Sequence, residues 1–313
     1  MKEGRRALLG LLAGAAGLAG FGGCAAPAQA AAGTLTEHHF PSALLGGDWR
    51  YQLYLPAGYA EGHRAYPVLY LLHGRGDDLR AWTRCKPLLD ELIAAGLIPP
   101  LIAVMPDAPW SARGSYYVDS AYSGVERPGR AVETAFIGEL LPHIDASYRT
   151  DARREARLLA GYSMGGYGAL RHVLAHPQLF GAAIVLSPAV YTPLPPRASS
   201  AREFGAFGRD QDLFVDEIYR ALNYPALLER FSASGLGLRF YICSGDDEYR
   251  NPDPAEAEHD IDLEAHRLYK RLARLPNIQA ELRIVDGGHD WRVWLPALRE
   301  GLLMLAPGLV AGR

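Results

Sequence analysis

Cysteine is scarce in this chain: Cys24, Cys85 and Cys243 are the three in 313 residues. They form no C-x-x-C pair and no zinc-type spacing, which excludes a dithiol redox motif and a structural zinc module. No repeat of fixed period and no long polar low-complexity tract is present, which excludes solenoids and disordered arrays. The formal net charge is −3, and Lys2, Arg5 and Arg6 at the start leave the remainder more acidic still. Without a basic stripe, nucleic acid is not an expected partner. The run from Ala7 to Phe21 is apolar but falls short of the ~20 residues of a comfortable membrane span.

What is present is ample material for a core. Hydrophobic residues make up 49% of the chain and charged residues 21%, a globular balance. The basic start followed by a short apolar run reads as a signal peptide over residues 1–30. Arg5-Arg6 also resembles a twin-arginine export signal. Two cleavage readings stand side by side. Phe21-Gly22-Gly23-Cys24 resembles a lipobox, which would leave a lipidated Cys24 and attach the protein to a membrane. Ala28-Gln29-Ala30 would release a soluble protein. Either way the expected location is outside the cytoplasm, periplasmic, at the cell surface or secreted. Cys85, in a helical pattern, and Cys243, in an apolar strand, read as two buried thiols rather than a disulfide.

From residue 34 onward, apolar runs alternate with amphipathic stretches. "PVLYLL", "LIAVMP", Leu158-Leu159-Ala160, "AAIVLSP" and "LRFYICSG" read as strands, with helical spacing between them. Strands alternating with helices imply a mostly parallel sheet covered on both faces. The Pro-rich segment 188–230 is the insertion long enough to be a lid or a cleft wall. Within "LLAGYSMGGYGAL", Gly161-Tyr162-Ser163-Met164-Gly165 is a G-x-S-x-G. That pattern alone arises by chance in a glycine-rich chain. Here it sits between a strand and a helix, as a nucleophile elbow must. In such sheets chemistry gathers at the carboxyl ends of the strands. Those ends carry His73-Gly74-Arg75-Gly76-Asp77, then Ser163, then Asp246-Asp247-Glu248, then His289. Serine, carboxylate, histidine is the triad order of an α/β-hydrolase.

"YPVLYLLHG", "FIGELLPHIDASYRT", "AGYSMGGYGAL" and "GGHDWRVW" together resemble the esterase D family of α/β-hydrolases. That group includes feruloyl and acetylxylan esterases, enterochelin-type esterases, S-formylglutathione hydrolases and mycolyltransferases. The resemblance runs from about residue 45 to 306 and implies a single esterase domain over 34–313. It makes Ser163 the nucleophile and His289 its base, with the backbone N–H groups of Arg75 and Met164 as the oxyanion hole. "SYYVDS" resembles the family loop that carries an aromatic into the acyl pocket, so Tyr116 and Tyr117 are expected to touch substrate. A glycine-plus-three spacing from Gly245 points to Glu248 as the acid, whereas the "DEY" pattern points to Asp247. Asp247 is the residue expected.

The chemistry needs these types. A serine hydroxyl attacks well only when a base takes its proton, and a histidine can take it and return it to the leaving alkoxide. The acid fixes the imidazole tautomer, and N–H donors meet the developing oxyanion. No metal or cofactor is required. Glu256, His259, Asp262 and His266 could suggest a metal site, but the apolar stripe of that helix places the histidines on a solvated face. Arg75-Gly76-Asp77 spells an adhesion tripeptide, yet after His73-Gly74 it reads as the oxyanion loop. Trp291 either walls the cleft or staples the last helix.

The expected function is hydrolysis of a carboxylic ester through an acyl-enzyme. The substrate would be a small-molecule or polysaccharide-linked ester; Trp110, Tyr116, Tyr117 and Trp291 would suit an aryl or feruloyl-type acyl group. Export argues against formylglutathione. Acyl transfer to an alcohol by the same triad is the second reading. A non-catalytic binding protein on a hydrolase scaffold is the third.

Overall fold

The apolar runs pair into one eight-stranded sheet. A computed structural model describes residues 32–108, 110, 114–124, 128–248 and 250–309; the expected leader and Cys24 lie outside the described residues. The chain enters through a hairpin, β1 (Thr34–Ser42) and β2 (Gly47–Leu55). There follow β3 (Val68–Leu72), α1 (Lys86–Ala94) and β4 (Ile102–Pro106). A short strand β5 (Ala121–Tyr122) precedes a helical stretch, α2 (Val132–Ala135) and α3 (Leu141–Ser147), joined through a π-helical turn at Phe136–Leu140. Then come β6 (Arg157–Tyr162), α4 (Met164–Ala175) and β7 (Ala182–Leu186). The segment 188–230 carries β8 (Arg209–Asp210), α5 (Asp216–Leu222) and α6 (Leu228–Ala233). The chain continues with β9 (Leu238–Asp247), α7 (Ile261–Leu272), β10 (Ile278–Gly288) and α8 (Trp291–Leu309).

The strand order is β1-β2-β4-β3-β6-β7-β9-β10. Both pairings of β2, with β1 and with β4, are antiparallel; the remaining neighbours are parallel. The continuous apolar strands follow from burial on both faces. In β3, Val68, Tyr70 and Leu72 face one core with α2, α3, α4 and α7. Leu69 and Leu71 face the other, with α1 and α8. Period-two alternation thus survives inside a run that reads as uniformly apolar. Cys85 and Cys243 are separate buried thiols. Among the described residues no helix is long and apolar enough to cross a membrane.

Residues 189–203 of the 188–230 segment line a cleft. The segment's β8 pairs with β5 as a small second sheet. Glu264 of α7, fully buried, accepts both the backbone N–H and the hydroxyl of Thr192 at 2.9 Å, and so ties the start of the wall to the core. The same carboxylate receives His259 at 2.8 Å. His259 is therefore folded into this bracket rather than set on a solvated face as its spacing suggested.

Candidate active site

Strand β6 ends where the serine stands. Ser163 has φ 56° and ψ −120°, a left-handed conformation that costs of order 1–3 kcal/mol and persists only where its surroundings enforce it. The glycines on either side explain how the turn is possible. A Cβ on Gly161 would lie 2.1 Å from the Gly165 carbonyl oxygen, and one on Gly165 would lie 2.1 Å from that of Leu72. Backbone meets backbone there, and only glycine fits. The Ser163 N–H donates to Leu186 O across to β7, and its C=O accepts from Tyr167 and Ala189. Ser163 is partly exposed while both of its chain neighbours are buried.

The loop that follows β3, from His73 to Asp77, is braced from below. Ala108 N–H donates to His73 Nε2 at 3.0 Å, so the ring proton sits on Nδ1 and donates to Gly74 O at 2.8 Å. That carbonyl shares its peptide unit with Arg75 N–H, which in a trans peptide points the opposite way. Tyr117 donates its hydroxyl to His73 O at 3.1 Å, and Trp82 donates its indole N–H to Leu72 O at 2.9 Å. Met164 opens α4, so its N–H has no acceptor within the helix.

His289 follows β10, 28% exposed at its side chain, and donates Nδ1–H to Glu248 Oε2 at 2.5 Å. The expectation of Asp247 is corrected here. Asp247 is exposed and pairs with Arg250 at 3.2 Å, and Asp246 accepts Gly287 N–H. Asp247 is still in register with Gly288 at the end of β9, and its exposed carboxylate is spent on Arg250. Glu248, one residue later, turns back under the strand end, and its Oε1 accepts from Gly245 N–H at 3.0 Å and the Ser244 hydroxyl at 3.1 Å. The Ser187 hydroxyl also donates to Oε1. Burial alone would push Glu248 up, but the His289 ring, with Ser187 and Gly245, holds it below the usual carboxylate range.

Ser163 and His289 share a cleft of about 430 Å³ with Arg75, Tyr116, Tyr191, Ser199, Ser200, Glu203 and Ile261. Of the aromatics expected at substrate, Tyr116 is therefore at the cleft. Tyr117 is not: it is wholly buried and props the loop after β3 through His73 O. Trp291 is not either. Its ring packs edge-on to Trp82 and Tyr162 at 5.0 and 4.9 Å, under the Arg84 guanidinium at 4.2 Å. It staples α8 to α1's side of the sheet. Tyr191, missed in the sequence, comes from the Pro-rich wall, where no periodicity marks it.

The family model described as "Putative esterase" matches residues 42–305. The chain belongs to that family. Among curated proteins it is 36% identical over 149 residues to an esterase of Mycobacterium tuberculosis, covering 48% of this chain and 31% of that protein. It is 32% identical over 173 residues to an endo-1,4-beta-xylanase/feruloyl esterase of Xylanibacter ruminicola, covering 51% of this chain and 22% of that protein. The chain thus spans a third or less of the length of these relatives. A solved ferulic acid esterase superposes with TM-score 0.71 at 24% identity, over 88% of this chain and 98% of the other. An S-formylglutathione hydrolase of Agrobacterium tumefaciens superposes with TM-score 0.68 at 19% identity, over 90% and 97%. The likeness identifies the fold as that of the α/β-hydrolases.

Proposed function

We propose that this member of the esterase family hydrolyses carboxylic esters through an acyl-enzyme on Ser163. The observation that carries the reading is the Glu248–His289 hydrogen bond standing in one cleft with a serine on a strained elbow. With Nδ1–H committed to Glu248, His289 keeps the Nε2 lone pair for the serine proton. Ser163 Oγ adds to the ester carbonyl as His289 takes that proton, and the carbonyl electron pair moves onto oxygen. The N–H groups of Met164 and Arg75 receive the oxyanion, a donor pair in which each member is worth ~2.7–4 kcal/mol. Collapse breaks the bond to the alkoxide, which leaves with the His289 proton. Water then repeats the sequence and frees the acid.

The substrate proposed is an ester of an aromatic acid of the feruloyl kind. Tyr116, Tyr191 and Ile261 offer apolar surface, and Ser199, Ser200, Arg75 and Glu203 offer polar groups to ring substituents. The cleft volume falls in the range of small-ligand sites, ~300–1,000 Å³. Initial rates on p-nitrophenyl esters of increasing chain length and on methyl ferulate, with Ser163→Ala as the blank, test this. Turnover of methyl ferulate above that of p-nitrophenyl butyrate supports it; turnover of aliphatic esters alone removes the aromatic assignment. Acyl transfer would show in the same assay as a new ester when an alcohol is added.

Export belongs to the same reading and is supported by the basic start and short apolar run of residues 1–30. Mass spectrometry of the mature N-terminus from the native host separates a diacylglyceryl-Cys24 from an unmodified Ala31. An intact Met1 would refute both.

A further inference from the structure

Glu248 is held by a residue that the triad does not include. At the end of β7, Ser187 is fully buried and has φ 40°, an unfavourable conformation for a residue with a side chain. Its N–H donates to Cys243 O at 2.7 Å, which fixes this backbone against β9, the strand that delivers the acid. Its Oγ has two neighbours. Trp294 of α8 donates its indole N–H to that oxygen at 2.9 Å, and an indole nitrogen can only donate. The Ser187 hydrogen is thereby left for Glu248 Oε1, which can only accept when ionised.

We propose that Ser187 and Trp294 are positioning residues for the acid: the indole N–H sets the direction of the Ser187 hydroxyl, and the hydroxyl pins Glu248 Oε1 so that Oε2 faces His289. The inference rests on the triad reading above. Trp294 also stands edge-on to the His289 ring, centroids 5.0 Å apart, and stacks on Tyr162 at 4.2 Å. One side chain thus touches His289 directly and reaches Glu248 through Ser187. A glutamate arm is one methylene longer than aspartate and has one more torsion to fix, so donors on Oε1 restrict a carboxylate that the chain alone leaves loose. A buried polar network in which every member is satisfied in this way is rigid, and partial loss of it is felt beyond the deleted bond.

The strained backbone supplies a discriminating pair of variants. Ser187→Ala removes the hydroxyl and keeps the strain; Ser187→Gly removes both. p-Nitrophenyl acetate serves as the probe, with Ser163→Ala measured first. If the hydroxyl positions Glu248, both Ser187 variants lose roughly tenfold or more in kcat, short of the ~10⁴ that loss of an acid costs, with KM within about twofold, and the glycine variant melts no lower than the alanine one. Trp294→Phe, which keeps a ring beside His289, loses less, and in the Ser187→Ala background it costs nothing further, as expected of one shared chain of contacts. A glycine variant as active as the parent, or KM rising in step with the loss of kcat, would show that Ser187 serves only the backbone and overturn the proposal. An active Ser163→Ala would overturn the triad reading itself; a dead Ser163→Ala beside fully active Ser187 variants overturns this inference alone.

Discussion

Glu248 Oε2 accepts the Nδ1–H of His289 at 2.5 Å, and the carboxyl that makes this bond is 1% exposed. Its neighbour Asp247 is 66% exposed and bonded to Arg250. Two adjacent carboxylates therefore have opposite fates. Removing the buried one leaves the histidine without its tautomer lock, a loss of up to ~10⁴ in turnover, whereas a solvated ion pair is worth little. Glu248→Gln is expected to lose at least a hundredfold in kcat/KM on p-nitrophenyl acetate, and Asp247→Asn less than threefold, with circular dichroism unchanged in both. The reverse ranking would restore Asp247 as the acid.

Why this was half legible in the sequence is a matter of range. Ser163 and His289 are each marked by neighbours in the chain: glycines at a close backbone approach, and a Gly-Gly-His-Asp-Trp turn after a strand. Whether Asp247 or Glu248 faces the histidine depends instead on where β9 leaves the sheet, on Ser187 from β7 and on the length of one arm. The first two are not local, and the local signals disagree: the glycine-plus-three spacing from Gly245 names Glu248, the "DEY" pattern Asp247. The sheet was legible because burial on both faces writes continuous apolar runs. Tyr117 stands behind the loop and Trp291 takes the second of its two readings; an aromatic near a site looks the same in sequence whether it lines the cleft or props the structure behind it.

The elbow glycines give a stability prediction. Gly165→Ala places a methyl against the Leu72 carbonyl, with no flexible side chain to yield. Overpacking of this kind costs ~1–3 kcal/mol or more, so the melting temperature should fall by about 5 °C or more, or no folded protein should be recovered. Gly138→Ala, where a Cβ meets nothing within 4 Å, should melt within about 1 °C of the parent or above it. Differential scanning calorimetry decides between them. Equal melting of the two variants would contradict the geometry at Ser163.

The thiols should be silent. Burial pushes both Cys85 and Cys243 up to about 12, so neither forms an appreciable thiolate near neutrality. Ellman's reagent on folded protein lacking residues 1–30 should detect fewer than 0.2 thiols per chain in an hour, by order of magnitude, and about two after denaturation. Prompt reaction of one thiol in the folded state would mean that its strand or helix opens.

Acid should unfold the protein through Glu133. Burial would raise this carboxyl, but His176 at 2.9 Å and Arg171 at 2.7 Å hold it down to about 2. A carboxyl lowered on folding contributes stability above its unfolded value of ~4.3, and that contribution is lost as pH falls toward 2. The size is about 3 kcal/mol. Urea unfolding midpoints should therefore decline from pH 5 to pH 3. Glu133→Gln should be less stable at pH 7 and show a shallower decline. An identical slope in parent and variant would assign acid sensitivity to other groups.

Ser163 is expected to carry the acyl group, and intact-protein mass spectrometry reads this directly. Protein mixed with p-nitrophenyl acetate and quenched in acid within seconds should gain one acetyl group, about 42 Da by the chemistry of acyl transfer to serine, and peptide mapping should place it on Ser163. Glu248→Gln should acquire the adduct more slowly, and Ser163→Ala should show none. An acetyl group mapped to another residue, or an undiminished adduct on Ser163→Ala, would show that Ser163 is not the nucleophile.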